Sequence, residues 1–194
     1  MEPALTIIEQ ALPYVGKLQP RERADVEMVV VHCTELPDLA TAREYGERIV
    51  HPSGTGNSGH YYIDRDGAVL RYVPEDRVAH HVRGQNARTL GIELVNTGRW
   101  PDWFDSRHQA MREPYPDAQV DALLALLAHL RTILPNLRDI AGHEDLDTDT
   151  LPASDDANLT VQRKLDPGLM FPWPRVMAAC GLVRRRAANA DRGT

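Results

Sequence analysis

The sequence predicts an α/β fold, a single domain with a central mixed β-sheet flanked by helices. Two apolar, β-branched runs, Val29-Val30-Val31 and Leu90-Gly91-Ile92-Glu93-Leu94-Val95, read as buried strands. Two stretches with helical spacing, 38–50 and 117–134, alternate with strand-like segments, the pattern of a sheet covered by helices. With 194 residues, 42% of them hydrophobic and 26% charged, the chain is long enough for one well-buried core. Residues 1–25 read as a lead-in, 26–181 as the domain and 182–194 as a flexible basic tail.

In chain order, a short strand or turn is expected near Leu5 to Ile8, then a polar stretch to Asp25. Glu27 to Thr34 follows as a central strand, whose alternation puts Met28, Val30 and His32 on one face and Cys33 on the other. Asp38, after Pro37, is the expected N-cap of a helix over 38–50 with Leu39, Ala42, Gly46, Ile49 and Val50 as its apolar stripe. His51 to Gly59 is rich in breakers and reads as a loop; it lacks the Gly-Lys-Ser/Thr ending of a phosphate cradle. His60 to Asp64 and Ala68 to Val73 are strands joined by the turn Asp64-Arg65-Asp66-Gly67.

His80-His81 lies in the next loop, before the strand Leu90 to Asn96. Residues 97–116, with Trp100, Trp103, Pro101, Pro114 and Pro116, form a long connection of the kind that lines sites. Asp117 is expected to cap the helix 117–134, with Val120, Leu123, Leu124, Leu127, Leu130, Ile133 and Leu134 on its apolar face. A short strand, 139–142, delivers His143; residues 144–160 read as acidic and irregular. A last helix runs from Pro174 to Gly181, ahead of Arg184-Arg185-Arg186.

A formal net charge of −6 argues against a sequence-independent grip on nucleic-acid phosphates. Cys33 and Cys180 form no Cys-x-x-Cys unit, so neither a disulfide framework nor a thiolate zinc cluster is indicated. The N-terminus has no basic-then-apolar leader, and no run of about 18 apolar residues occurs. The expectation is a soluble, cytoplasmic monomer that engages neither nucleic acid nor membrane, with a periplasmic location by another export route and release by lysis as the open alternatives.

Residues able to do chemistry collect at strand ends. In Arg163-Lys164-Leu165-Asp166-Pro167-Gly168, Pro167 disfavours the helical region for Asp166, and an extended chain projects Lys164 and Asp166 to one side. His32 is open to two readings, a satisfied core histidine or a ligand. Glu93 stands inside an apolar strand, where a carboxylate is costly unless paired or functional; a structural salt bridge and an acid–base group are both open. His32, His143 and Asp166 make a three-ligand set suited to a catalytic zinc with a fourth position for water. Their spacing alone does not select them.

The segments Val-Val-Val-His32-Cys-Thr, Gly59-His60-Tyr61-Tyr62-Ile63-Asp64-Arg65-Asp66-Gly67, Gly91-Ile92-Glu93-Leu94-Val95-Asn96, and Gly142-His143 followed by Arg163 to Gly168 resemble, in that order, the type-2 N-acetylmuramoyl-L-alanine amidases. That family includes the bacterial wall-recycling amidases and is similar to phage amidase lysins and animal peptidoglycan recognition proteins. The resemblance runs from about Val26 to Trp173 and implies a peptidoglycan-recognition-protein-like amidase fold. It implies zinc ligands at His32, His143 and Asp166, a general base at Glu93 and an electrostatic stabiliser at Lys164. It also implies substrate contacts at His60, His81 and Asn86. The implied reaction is hydrolysis of the amide between the lactyl group of N-acetylmuramic acid and L-alanine.

Three departures qualify the resemblance. Gly59 stands where phage members carry a catalytic tyrosine, so the chemistry is expected to rest on Glu93. The segment Glu144 to Arg163 is longer than the compact link of the recycling branch. No wall-anchoring repeat is present, which favours soluble (anhydro)muropeptides in wall recycling. The alternatives are a wall-lytic amidase acting on intact peptidoglycan and a muropeptide-binding module without turnover.

Overall fold

The computed structural model describes residues 5–186. The elements are β1 (Ile7–Glu9), β2 (Met28–Cys33), α1 (Leu39–Glu47), β3 (Tyr61–Ile63), β4 (Val69–Arg71), β5 (Thr89–Leu94), α2 (Asp117–Ile133), β6 (Asp139–Gly142), α3 (His143–Leu146), β7 (Thr150–Pro152), β8 (Thr160–Gln162), α4 (Trp173–Cys180) and β9 (Val183–Arg184). Among the described residues, one seven-stranded mixed sheet runs in the order β1-β4-β3-β5-β2-β6-β9, and β7 and β8 form a separate hairpin. Only β3 and β4 are antiparallel neighbours within the large sheet. Strand β2, buried at all of its residues, lies between β5 and β6, as its unbroken β-branched run requires.

Alternation along these strands separates the two faces of the sheet. Val29, Val31 and Cys33 with Leu90, Ile92, Leu94 and Ile140 pack on Val120, Leu123, Leu126, Leu127 and Leu130 of α2 and on Trp173 and Val176 of α4. Gln119 of α2 is buried there, donating its amide to the carbonyls of Ile63 and Val95 at the ends of β3 and β5. Met28, Val30 and Ala141 face the other way with Val82, beside a second cluster in which Tyr62 and Leu70 meet Leu12, Leu36 and Ala42. His32 and Glu93 rise from that second face.

Several expectations are corrected. Asp38 does cap α1, accepting from the Thr41 amide at 2.7 Å, but the helix ends at Glu47. Arg48 turns extended and the Val50 and His51 amides bond to the Thr55 carbonyl, so Ile49 and Val50 are left exposed. In α2, Pro116 is the cap and Asp117 the first helical residue, its carboxylate accepting from Arg175 at 2.5 Å. Residues 144–160 are more regular than expected: they hold most of α3, the whole of β7 and the turn into β8, and Val161 on β8 is the hairpin's buried residue. The arginine run continues the sheet, with β9 parallel to β6. Arg184 lies 3.7 Å over the Trp173 ring and pairs with Asp145 at 2.9 Å, and Arg185 pairs with Asp139 at 2.9 Å. The remainder of the expected tail, 187–194, lies outside the described residues. No helix among the described residues is long and apolar enough to cross a membrane.

Candidate metal centre and catalytic cleft

Register explains how distant residues meet. His32 on β2 pairs with Glu93 on β5, and facing residues of parallel neighbours project from one side of the sheet. The β2–β6 ladder ends at Val31 and Gly142, so His143, the next residue, stands beside His32 with ring centroids 4.6 Å apart. Asp166 arrives from beyond β8, its carbonyl accepting from the Glu144 amide at 2.9 Å. Its Oδ2 lies 2.9 Å from His32 Nδ1 and 3.2 Å from His143 Nδ1. All three side chains are buried, and each offers a ligand atom within 4.8 Å of the others.

The donor set fits a metal. Ligands bound tetrahedrally at about 2.0 Å stand roughly 3.3 Å apart, close to the separations between Asp166 Oδ2 and the two imidazole nitrogens. Asp166 Oδ1 and His143 Nε2 are buried without a hydrogen-bond partner among the described residues, an expensive arrangement unless something else engages the group. Burial pushes the His32 imidazole down to about 4, so it is neutral, the form that ligates. Burial pushes the Asp166 carboxyl up, but His143, His32 and Lys164 outweigh it and hold the group well below the usual carboxylate range. Two imidazole nitrogens and one carboxylate oxygen are the donors a divalent borderline metal takes.

These groups open onto a cleft of about 650 Å³, whose lining includes Glu93, Lys164, Tyr45, Trp103, Arg83 and Arg163. Burial, reinforced by Asp166, pushes the Glu93 carboxyl well above the usual range, while Lys164 pulls it down. Among the hydrogen bonds and ion pairs formed by the described residues, Glu93 is in none, so the structural salt-bridge reading finds no partner. Gly59 explains how Glu93 fits: a Cβ there would lie 2.7 Å from Glu93 Cγ. The phage-type tyrosine and Glu93 in this rotamer exclude one another.

The structure separates the three residues expected to touch substrate. His60 is fully enclosed and does not line the cleft, so it is placed to support the sheet rather than to contact substrate. Its Nδ1 accepts from the Gly91 amide and its Nε2 lies 3.0 Å from the Arg77 carbonyl, with burial and Arg21 pushing it down to about 3. His81 and Asn86 do line the cleft, but Asn86 Oδ1 accepts from the His81 and Val82 amides at 3.0 and 2.8 Å. His81 Nδ1 lies 3.0 Å from His32 Nε2.

Arg99 and Glu35 form the part of the site that sequence reasoning missed. Arg99 Nε and Nη2 donate to Glu35 Oε1 and Oε2 at 2.6 and 2.9 Å, and Nη1 donates to the Gln162 carbonyl at 2.9 Å. This buried fork ties the end of β2 to the chain that enters Lys164 and Asp166. Nothing local in the sequence marks it: the partners are 64 positions apart, and Glu35 adopts a positive φ of 49° that its residue type does not announce.

Comparison with known proteins places this arrangement in a family. Against the 1,6-anhydro-N-acetylmuramyl-L-alanine amidase AmpD of Salmonella typhimurium the chain is 31% identical over 134 residues, covering 64% of this chain and 58% of the relative. The chain thus spans a little over half the length of that relative. Among solved structures, the endolysin amidase LysCS of Clostridium intestinale superposes with a TM-score of 0.65 at 23% identity, covering 94% of this chain and 99% of that one. The bumblebee peptidoglycan recognition protein PGRP-SA gives 0.63 at 16% identity, covering 92% and 97%. At such identities the two structures speak to the fold, which is that of the amidases and peptidoglycan recognition proteins. Residues 22–169, most of the chain and including every proposed metal ligand and Glu93, match the N-acetylmuramoyl-L-alanine amidase family, and the chain belongs to that family.

Proposed function

We propose that the protein hydrolyses the amide joining the lactyl group of N-acetylmuramic acid to L-alanine in soluble peptidoglycan fragments, with zinc held by His32, His143 and Asp166. The observation that carries this reading is the convergence of that buried donor set with Glu93 and Lys164 on one cleft. Bound zinc supplies Lewis acidity, polarising a carbonyl and making water acidic enough to attack at neutral pH. Glu93 takes the proton of the attacking water as the carbon–oxygen bond forms and returns it to the amide nitrogen as the carbon–nitrogen bond breaks. Such a group contributes roughly 10² to 10⁴ in rate, and its efficiency is greatest when its pKa lies near the working pH. Burial moves Glu93 in that direction. Lys164 stabilises the oxyanion of the tetrahedral intermediate; losing one such donor costs about 3 to 4 kcal/mol.

The name of the relative, a 1,6-anhydro-N-acetylmuramyl-L-alanine amidase, supports 1,6-anhydro-muramyl peptides as the substrate class, and wall-fragment recycling is the role that such a soluble substrate fits. A binding module without turnover has no need of an acid–base carboxylate, and the presence of Glu93 beside the complete donor set favours the hydrolase. The test is to incubate the protein with an anhydro-muramyl tripeptide and with intact sacculi, with and without zinc, following free peptide by mass spectrometry. Zinc-dependent release from the small substrate alone is expected. Release from sacculi moves the protein to wall lysis, and binding without release from either substrate overturns the proposal.

A further inference from the structure

His32 faces Asp166 with Nδ1, which leaves Nε2 to find a partner on the other side of the ring. That partner is His81 Nδ1 at 3.0 Å, met edge-on with the ring planes at 87°. The next link is His81 Nε2 to Thr89 Oγ1 at 3.2 Å, and the last is Thr89 Oγ1 to the Gln85 carbonyl at 2.9 Å. The Gln85 carbonyl at one end and the Asp166 carboxylate at the other both only accept, so Thr89 and two neutral rings bring three protons to four contacts and one contact stays without a proton. With the His32 Nδ1–Asp166 contact as the bare one, the rest of the chain has one direction. Thr89 donates its hydroxyl proton to Gln85 and accepts from His81 Nε2–H. His81 Nδ1 is then bare and accepts from His32 Nε2–H. In this arrangement His32 Nδ1 is the bare position, its lone pair aimed at the place where Asp166 and His143 converge, where a cation would take the place of the missing proton between Nδ1 and Asp166 Oδ2.

The surroundings hold this chain in place. Asn86 fixes the backbone of His81 through two accepted amide bonds. Thr89 is fully buried on β5 and does not line the cleft. Gly91 gives the ring its room, because a Cβ there would lie 2.7 Å from His81 Cγ and Nδ1. We propose that His81 and Thr89 are positioning residues, which lock His32 as its Nε2–H tautomer and so prepare Nδ1 as a metal ligand before any metal arrives. This replaces the substrate contact that the family resemblance implies for His81. It rests on the zinc reading for the identity of the ion, and its first test needs no ion.

Long-range proton–nitrogen NMR on metal-free protein reports the tautomer of each imidazole. The expected result is Nε2–H at His32 and at His81; an Nδ1–H tautomer at His32 in the intact protein overturns the proposal. Zinc dissociation constants from chelator competition test the consequence. Outer-shell partners of metal-bound histidines change affinity by about 10- to 100-fold, and a loss in that range is expected for His81→Leu and for Thr89→Val. Asn in place of His81 puts its amide oxygen at the Nδ1 position, so His81→Asn is expected to recover most of the affinity. At saturating zinc, KM for the anhydro-muramyl tripeptide is expected to stay at the wild-type value in Thr89→Val. Wild-type zinc affinity with a raised KM in the His81 variants overturns the proposal in favour of substrate contact. If wild-type protein binds no zinc, the functional proposal fails, while the tautomer result stands or falls separately.

Discussion

Alanine at position 59 tests the placement of the general base without altering any group that does chemistry. A methyl there would stand 2.7 Å from Glu93 Cγ, 3.2 Å from the Gly91 carbonyl oxygen and 3.4 Å from Glu93 Oε1. Carbon–carbon contacts are comfortable at about 3.5 to 4.0 Å, so Glu93 must retreat by roughly 1 Å. Gly59 does not sit at positive φ, so the collision with neighbouring atoms is the whole cost. A displacement of about 1 Å in a reacting group costs around 10²-fold in rate, equivalent to about 2.7 kcal/mol of barrier. Overpacking adds about 1 to 3 kcal/mol of lost stability. The assay is kcat for peptide release at saturating zinc, with zinc affinity and Tm measured on the same protein. The expected result is a hundredfold loss in kcat with unchanged zinc affinity. Wild-type kcat in a folded Gly59→Ala protein would refute the reasoning.

Further outcomes follow from the same geometry. Glu93→Gln is expected to lower kcat by roughly 10² to 10⁴ while leaving zinc affinity intact. Because burial raises the Glu93 carboxyl, the folded state loses stability as pH rises through its folded pKa. Metal-free Glu93→Gln should therefore unfold at a higher temperature than metal-free wild type at neutral pH, measured by calorimetry. Arg99→Met leaves the buried Glu35 unpaired and is expected to cost about 3 to 5 kcal/mol in urea unfolding, with Glu35→Gln in the same chain restoring part of the loss. His60 is neutral in the fold down to about pH 3, whereas an unfolded histidine titrates near 6.5. Its contribution is full above about pH 6.5 and is lost as pH falls towards 3, by up to about 4 kcal/mol. His60→Asn keeps an acceptor for the Gly91 amide and should flatten that acid limb in a pH series of urea melts.

How far the sequence discloses the site depends on how locally each residue is placed. His32 and Glu93 are legible because alternation along a strand decides which face a side chain takes, and both strands lie where their β-branched runs indicate. Lys164 and Asp166 are legible because proline restricts the residue before it. The roles of His60, His81 and Asn86 are not, since they lie on or beside a loop and only the tertiary packing decides which nitrogen meets which neighbour. The Arg99–Glu35 fork is illegible for the same reason, with partners far apart and no periodicity to join them. The β7–β8 hairpin is short and acidic with little buried surface, so its composition resembles a loop. In the arginine run, cation–π stacking on Trp173 and pairing with Asp145 and Asp139 order residues whose composition alone suggests a solvated tail.

The most direct test of the central claim is a zinc add-back on chelator-stripped protein, with bound metal and release of peptide from an anhydro-muramyl tripeptide followed in the same samples. Release is expected to rise in proportion to bound zinc and to level off at one ion per chain, and Asp166→Ala is expected to abolish both binding and release. Full release by the stripped protein, or zinc-dependent release that survives the loss of Asp166, would contradict the account.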